Sequence, residues 1–86
     1  MRALVFDAGV WDDYEDLRRK DKATHDKLCR IIKQLLRNPA EGDGRPEQLR
    51  HYLTETWSRR INRKDRVVYR YDDQRVYLFA VKGHYD

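Results

Sequence analysis

Eighty-six residues, 40% of them charged and 12% aromatic, bound the chain to one small domain, residues 1–86, too apolar and aromatic for a disordered tail. The net charge of +4 points to an anionic partner, and a single cysteine, Cys29, excludes an internal disulfide framework and indicates a reducing compartment. No apolar run is long enough to span a bilayer and no basic leader opens the chain, so the expected location is the cytoplasm and no membrane role is expected.

Leu4 to Phe6 read as a short first strand, after which Asp7 is the candidate cap of a helix with Val10, Trp11, Tyr14 and Leu17 at helical spacing. Asp21 is the candidate cap of a second helix. Leu28, Ile31, Ile32, Leu35 and Leu36 recur there at i, i+3, i+4, i+7 and i+8, one apolar stripe, and Asn38-Pro39 ends it. Glu41 to Pro46 is a loop by composition. Beyond it, Trp57 to Ile61, Arg66 to Tyr71 and Arg75 to Lys82 read as three strands, with Asn62 to Asp65 and Asp72 to Gln74 as the turns of an antiparallel meander. The order implies an α+β fold with both helices on one face of a mostly antiparallel sheet.

Alternation assigns the faces. Val67, Tyr69 and Tyr71 are expected against the helices, with Arg66, Val68 and Arg70 on the open face. In the last strand Val76, Leu78, Ala80, Lys82 and His84 share one parity, and the absence of a bulge is assumed in placing His84 on the side of Arg66. Between Trp57 and Tyr71 six cations (Arg59, Arg60, Arg63, Lys64, Arg66 and Arg70) meet one carboxylate, Asp65. Arginine dominates that cluster, and its planar fork suits bidentate contact with phosphate. These cations, with Arg50, are the candidate RNA- or phosphate-binding residues.

The histidines His25, His51 and His84 have no ligand spacing with one another or with Cys29, so neither a metal nor another cofactor is expected. His25 is expected on the surface, Cys29 as a small buried hydrophobe, and Trp11 and Trp57 in the core. Gly42-Asp43-Gly44 lacks the lysine and hydroxyl of a phosphate loop and reads as a turn. Glu47 follows Arg45-Pro46, which biases the backbone to be extended. His84 is the one side chain near the end of the last strand that exchanges a proton near neutral pH, and Tyr85 is a candidate for stacking on a base.

Trp11-Asp12-Asp13-Tyr14, Glu41 through Leu49, Trp57-Ser58-Arg59-Arg60-Ile61, Asp65-Arg66-Val67-Val68-Tyr69 and His84-Tyr85 together resemble the YoeB/Txe toxins of the RelE/ParE toxin–antitoxin superfamily. The resemblance covers essentially the whole chain. It implies a microbial-ribonuclease-like fold and ribosome-dependent cleavage of mRNA without a metal. Carried over by position, Glu47 resembles the family's general base and His84 its general acid. Arg66 resembles the arginine that stabilises the phosphate and Tyr85 the tyrosine that orients the substrate, while Arg50 and Arg60 fall where further basic residues line the site. The implied partners are mRNA on the ribosome, an antitoxin of the YefM/Axe kind and a second copy of the chain.

Two positions depart from the family pattern: Asp86 follows the closing His-Tyr, and Gly83 stands where an aromatic residue is common. Two other readings use fewer of these residues. A gyrase inhibitor of the ParE kind needs neither Glu47 nor His84 as a proton carrier, and a plain RNA- or ribosome-binding module needs only the arginine face.

Overall fold

The computed structural model describes residues 1–50, 52 and 54–83, so His51, Leu53, His84, Tyr85 and Asp86 lie outside the described residues. Strand β1 (Ala3–Phe6) leads into helices α1 (Val10–Lys20) and α2 (Lys22–Arg37), then strands β2 (Glu47–Leu49), β3 (Thr56–Arg60), β4 (Arg66–Tyr71) and β5 (Arg75–Ala80). The sheet order is β1-β5-β4-β3-β2, antiparallel throughout except that β1 runs parallel to β5. This is the expected α+β architecture with one strand more: β2, inside the segment read as a stiff extension after Pro46.

Helix α2 forms where its apolar stripe demands it. Leu28, Ile31 and Leu35 are fully buried and Ile32 nearly so, each contributing roughly 1.5–3 kcal/mol of apolar transfer. Asp21 caps α2 as expected, its carboxylate accepting from the Thr24 backbone N–H at 3.2 Å and from the Thr24 hydroxyl at 2.7 Å. Asp7 does not cap α1. The N-cap is Gly9, left-handed at φ 81°, while the Asp7 carbonyl accepts from Val10 N–H at 3.1 Å. Only glycine adopts that φ without cost, so the chain turns one step later than the acid suggests.

The helix side of the sheet carries the main core, where Val67, Tyr69, Val76, Leu78 and Val81 meet Leu17, Leu28, Ile31 and Leu35. On the open side a small second cluster, Leu49, Val68 and Ala80 with Phe79 beside it, forms an apolar floor. The parity of β4 is therefore as expected, with Tyr71 only partly buried at the rim of the core. That of β5 is not. A β-bulge opposite Val68/Tyr69 inserts Phe79 without a partner, so Ala80 turns to the open face although Val76 and Leu78 face the helices. One extra residue exchanges the two faces at Ala80 and Val81, the first now open and the second in the main core.

Three expectations about side chains fail in informative ways. Trp11 is 51% exposed, lying stacked on Tyr14 at 5.4 Å and edge-on to Phe6 at 5.3 Å instead of entering the core. His25, expected on the surface, is buried beneath Tyr14 with ring centroids 4.6 Å apart. Cys29 is half-buried, its sulfur 3.4 Å from the Tyr14 hydroxyl and 3.7 Å from His25 Nε2. The α1–α2 seam is thus partly aromatic and polar, a pattern that helical periodicity of aliphatic residues does not register.

Candidate active site

The open face of the sheet gathers charge around its apolar floor. Register puts Glu47 on β2 opposite Ser58 on β3, Ser58 opposite Val68 on β4, and Arg60 opposite Arg66. Side chains of paired residues lie on the same face, so Glu47, Ser58, Arg60 and Arg66 converge there from three strands. Arg66 is mostly buried along its stem, with 18% of its side chain exposed, and its Nη1 donates to Ser58 Oγ at 3.2 Å. The same Nη1 lies 3.9 Å from Glu47 Oε2, a loose ion pair in which the glutamate is 65% exposed. The cation is held and the carboxylate is free to meet a ligand.

Arg70 extends the face, its Nε donating to Thr56 Oγ1 at 3.0 Å and its guanidinium lying 4.8 Å from the Phe79 ring centroid. Two β-strand hydroxyls therefore orient two arginines, Ser58 for Arg66 and Thr56 for Arg70. Neither hydroxyl was assigned a role from the sequence, although each shares the parity of Arg60 within β3. Arg50 is exposed just past β2.

Arg59 is corrected outright. Of the six clustered cations it is the one with no exposure at all, because it shares the core parity of Trp57 and faces Val67 on the helix side. Its guanidinium donates to Gln34 Oε1 (2.9 Å), to the carbonyls of Asn38 (3.0 Å), Pro39 (3.1 Å) and Glu41 (2.5 Å), and to the Tyr69 hydroxyl (3.3 Å). It cannot contact phosphate in this fold; it ties down the chain between α2 and β2. Burial raises the pKa of Tyr69 while the neighbouring Arg59 opposes that shift, and the Tyr69 hydroxyl donates in turn to the Pro39 carbonyl at 2.6 Å.

Two more cations sit apart from Glu47 and Arg66. Arg63 and Lys64 are exposed in the turn between β3 and β4, and Lys64 lines a shallow cleft with Asp16, Lys20, Asp21 and Lys82 against the helix layer. His84 and Tyr85, the expected acid and stacking residues, fall outside the described residues. The backbone immediately before them does not. Gly83 N–H donates to Asp65 Oδ1 at 3.0 Å, Arg66 N–H donates to the Gly83 carbonyl at 3.1 Å, and Lys82 Nζ pairs with Asp13 at 3.1 Å.

A family model described as the YoeB-like toxin of bacterial type II toxin–antitoxin systems matches residues 6–85. The chain belongs to that family. Toxin YoeB of Escherichia coli is 40% identical over 82 residues, covering 95% of this chain and 98% of the relative. The structure of a YoeB dimer from Staphylococcus aureus superposes with a TM-score of 0.90 at 36% identity, covering 98% of both chains. A heterotetrameric YoeB–YefM toxin–antitoxin complex from the same organism superposes at 0.86, with 36% identity and 99% of each chain covered. The open-face carboxylate and arginines are thus features of a YoeB-like toxin, and the fold is that of the RelE/ParE superfamily.

Proposed function

We propose that this YoeB-like toxin is a ribosome-dependent endoribonuclease that cleaves mRNA by acid–base catalysis by its own side chains. The observation that supports the reading most is the pairing of an exposed carboxylate, Glu47, with a held arginine, Arg66, 3.9 Å away on an open sheet face. RNA carries its own nucleophile, so a site of this kind needs only to move protons and stabilise charge. Glu47 takes the proton of the 2′-hydroxyl as its oxygen forms a bond to the adjacent phosphorus. Arg66 stabilises the charge that builds on the phosphoryl oxygens. His84 gives a proton to the departing 5′-oxygen as the P–O5′ bond breaks, leaving a 2′,3′-cyclic phosphate and a 5′-hydroxyl end. Proton transfers of this type contribute roughly 10²–10⁴-fold each, and a placed donor to the developing anion roughly 10²–10³-fold.

Arg60 and Arg70 then serve the flanking phosphates, with Arg50 beside them, and Tyr85 is assigned to the substrate base. The antitoxin of the S. aureus relative, YefM, suggests a protein of that kind as the neutralising partner here. The S. aureus dimer makes a second copy of this chain the corresponding self-partner.

The test is cleavage of a defined mRNA in a purified translation system by wild type, Glu47→Ala, Arg66→Ala and His84→Ala. Cleavage by wild type, with losses of about 10²-fold or more in each variant, is the expected result. No cleavage by wild type overturns the nuclease reading and leaves a toxin that acts by binding. Full activity in Glu47→Ala and His84→Ala keeps a nuclease but removes these two residues from its chemistry.

A further inference from the structure

The bulge in β5 gives the open face an aromatic ring that acid–base chemistry does not use. Phe79, the residue left without a partner in β4, is only partly buried and packs on the floor of Leu49, Val68 and Ala80. Bulges beside sites commonly re-aim a side chain. Here the ring ends beneath the guanidinium of Arg70, whose Cζ lies 4.8 Å from the ring centroid. The arginine is held from the side as well. Its Nε donates to Thr56 Oγ1 at 3.0 Å, and that hydroxyl donates its own proton to the Thr54 carbonyl at 2.9 Å, so toward Arg70 it acts as an acceptor. Thr56 is buried, at 1% exposure, and does not yield. Among the described residues no carboxylate lies within ion-pair distance of Arg70, and the bond from Nε is the one hydrogen bond its side chain makes. A cation fixed on two sides and neutralised on none is arranged for something that binds from outside.

We infer that Arg70 on Phe79 forms a nucleobase subsite, which rests on RNA being the ligand as in the reading above. One base of the bound strand stacks on the outer plane of the guanidinium, while the free Nη edge meets the adjoining phosphate. Ring, cation and base then make three layers. The ring beneath attracts the cation and holds its plane in place, and the planar guanidinium offers a stacking surface that the point charge of a lysine does not. Arg66 and Arg70 share a parity four residues apart on β4, roughly 13 Å at the rise of a strand. The stacked base therefore belongs to a nucleotide beside the reacting one.

The test is equilibrium binding of the full chain to a short single-stranded RNA and to the same RNA carrying one abasic nucleotide, moved along the strand position by position. Wild type is compared with Arg70→Lys, which keeps the charge and removes the plane, and with Phe79→Leu, which keeps an apolar side chain on the floor and removes the ring. Binding is read, not cleavage, so a protein that cuts nothing still reports on the subsite, and a nuclease without the subsite is recognised as such. For each protein the ratio of intact to abasic affinity does not depend on how much of it is folded, so a destabilised variant still reports.

The expected result is that loss of the base at one position at least weakens binding to wild type by about 5-fold or more. In Arg70→Lys and in Phe79→Leu the penalty at that position falls below about 2-fold, and Arg70→Lys keeps the wild-type dependence on salt. A scan in which wild type is indifferent to every missing base overturns the proposal. So does a wild-type penalty retained in Arg70→Lys, since the arginine then serves phosphate alone. A penalty retained in Phe79→Leu with only the urea midpoint lowered also overturns it, because the ring then merely packs on the floor. Absence of RNA binding by wild type removes the subsite outright, and cleavage in the translation system shows separately whether the nuclease reading falls with it.

Discussion

Replacing Arg59 separates the two roles an arginine in this cluster can have. Its guanidinium serves five acceptors, but they are not equal. Asn38 and Glu41 are exposed residues whose carbonyls water reaches once the arginine is gone, and the Pro39 carbonyl keeps its bond from the Tyr69 hydroxyl. Gln34 Oε1 likewise keeps its bond from the Asp43 N–H at 2.8 Å. That leaves one charge-assisted bond without replacement, to the Tyr69 hydroxyl, worth roughly 1.5–3 kcal/mol, less the relief of no longer burying a cation. The net for Arg59→Met, which roughly keeps the volume, comes to about 1.5 kcal/mol, a sizeable share of the stability of a domain this small. With a urea slope near 1 kcal/mol/M the unfolding midpoint falls by about 1.5 M. Urea titration followed by tryptophan fluorescence measures it, and mRNA binding is read in the same samples under native conditions. A midpoint lowered by less than about 0.5 M, or one unchanged with binding lost, would refute the structural role of Arg59 and return it to the ligand face.

Arg60→Ala is the counterpart: the plot of log affinity for single-stranded RNA against log salt concentration loses about 0.7 of slope, with the urea midpoint unchanged. Asp21→Ala removes the α2 cap bonds to Thr24 and lowers stability by about 1 kcal/mol by thermal melting at pH 7. The Asp21 carboxyl is held below its ordinary pKa, chiefly by the Thr24 hydroxyl and then by the Thr24 N–H, so this difference between wild type and variant shrinks as the pH falls through the acid range. The Tyr14 phenol is pushed up to about 12, first by its bond with Cys29 and then by burial. The folded state holds that proton more tightly than the unfolded chain, whose ordinary value is 10.0, so the stability that Tyr14 contributes is complete below pH 10 and is lost between there and about pH 12. Ultraviolet titration of tyrosinate shows a step near pH 12 that Tyr14→Phe removes.

Much of this was readable in advance, for reasons that are local. The α2 stripe and the alternation in Arg66 to Tyr71 are long enough for a period to declare itself, and Asp21 sits where a cap bond forms. β2 is three residues long behind Arg45 at φ 52° and a proline, too short for a period of two to be seen. The bulge was invisible because Val76 to Val81 is apolar at every position, which hides any change of parity. Arg59 is different, since the parity that placed Arg66 outward applies equally to β3. Trp57, Arg59 and Ile61 share a parity, but a charged residue among arginines reads as solvated until its acceptors are known. Alternation places Arg66 on the open face and the resemblance supplies the roles of Glu47 and Arg66, whereas the hydroxyls of Ser58 and Thr56 that orient the arginines come only from the structure.

The parallel pairing of β1 with β5 has a consequence for how the molecule comes together. Ala3 pairs with Arg75 and Phe6 with Leu78, contacts between residues some seventy positions apart in the chain. Both helices also pack on β5, and Val76, Leu78 and Val81 have no solvent exposure. Until residues 75–80 are in place, β1 has no neighbour and the apolar stripe of α2 lacks most of its floor. No half of the chain holds a core that survives alone, so unfolding is expected to be all-or-none. Folding should be slow for so small a protein, since its decisive contacts close a loop of most of the chain.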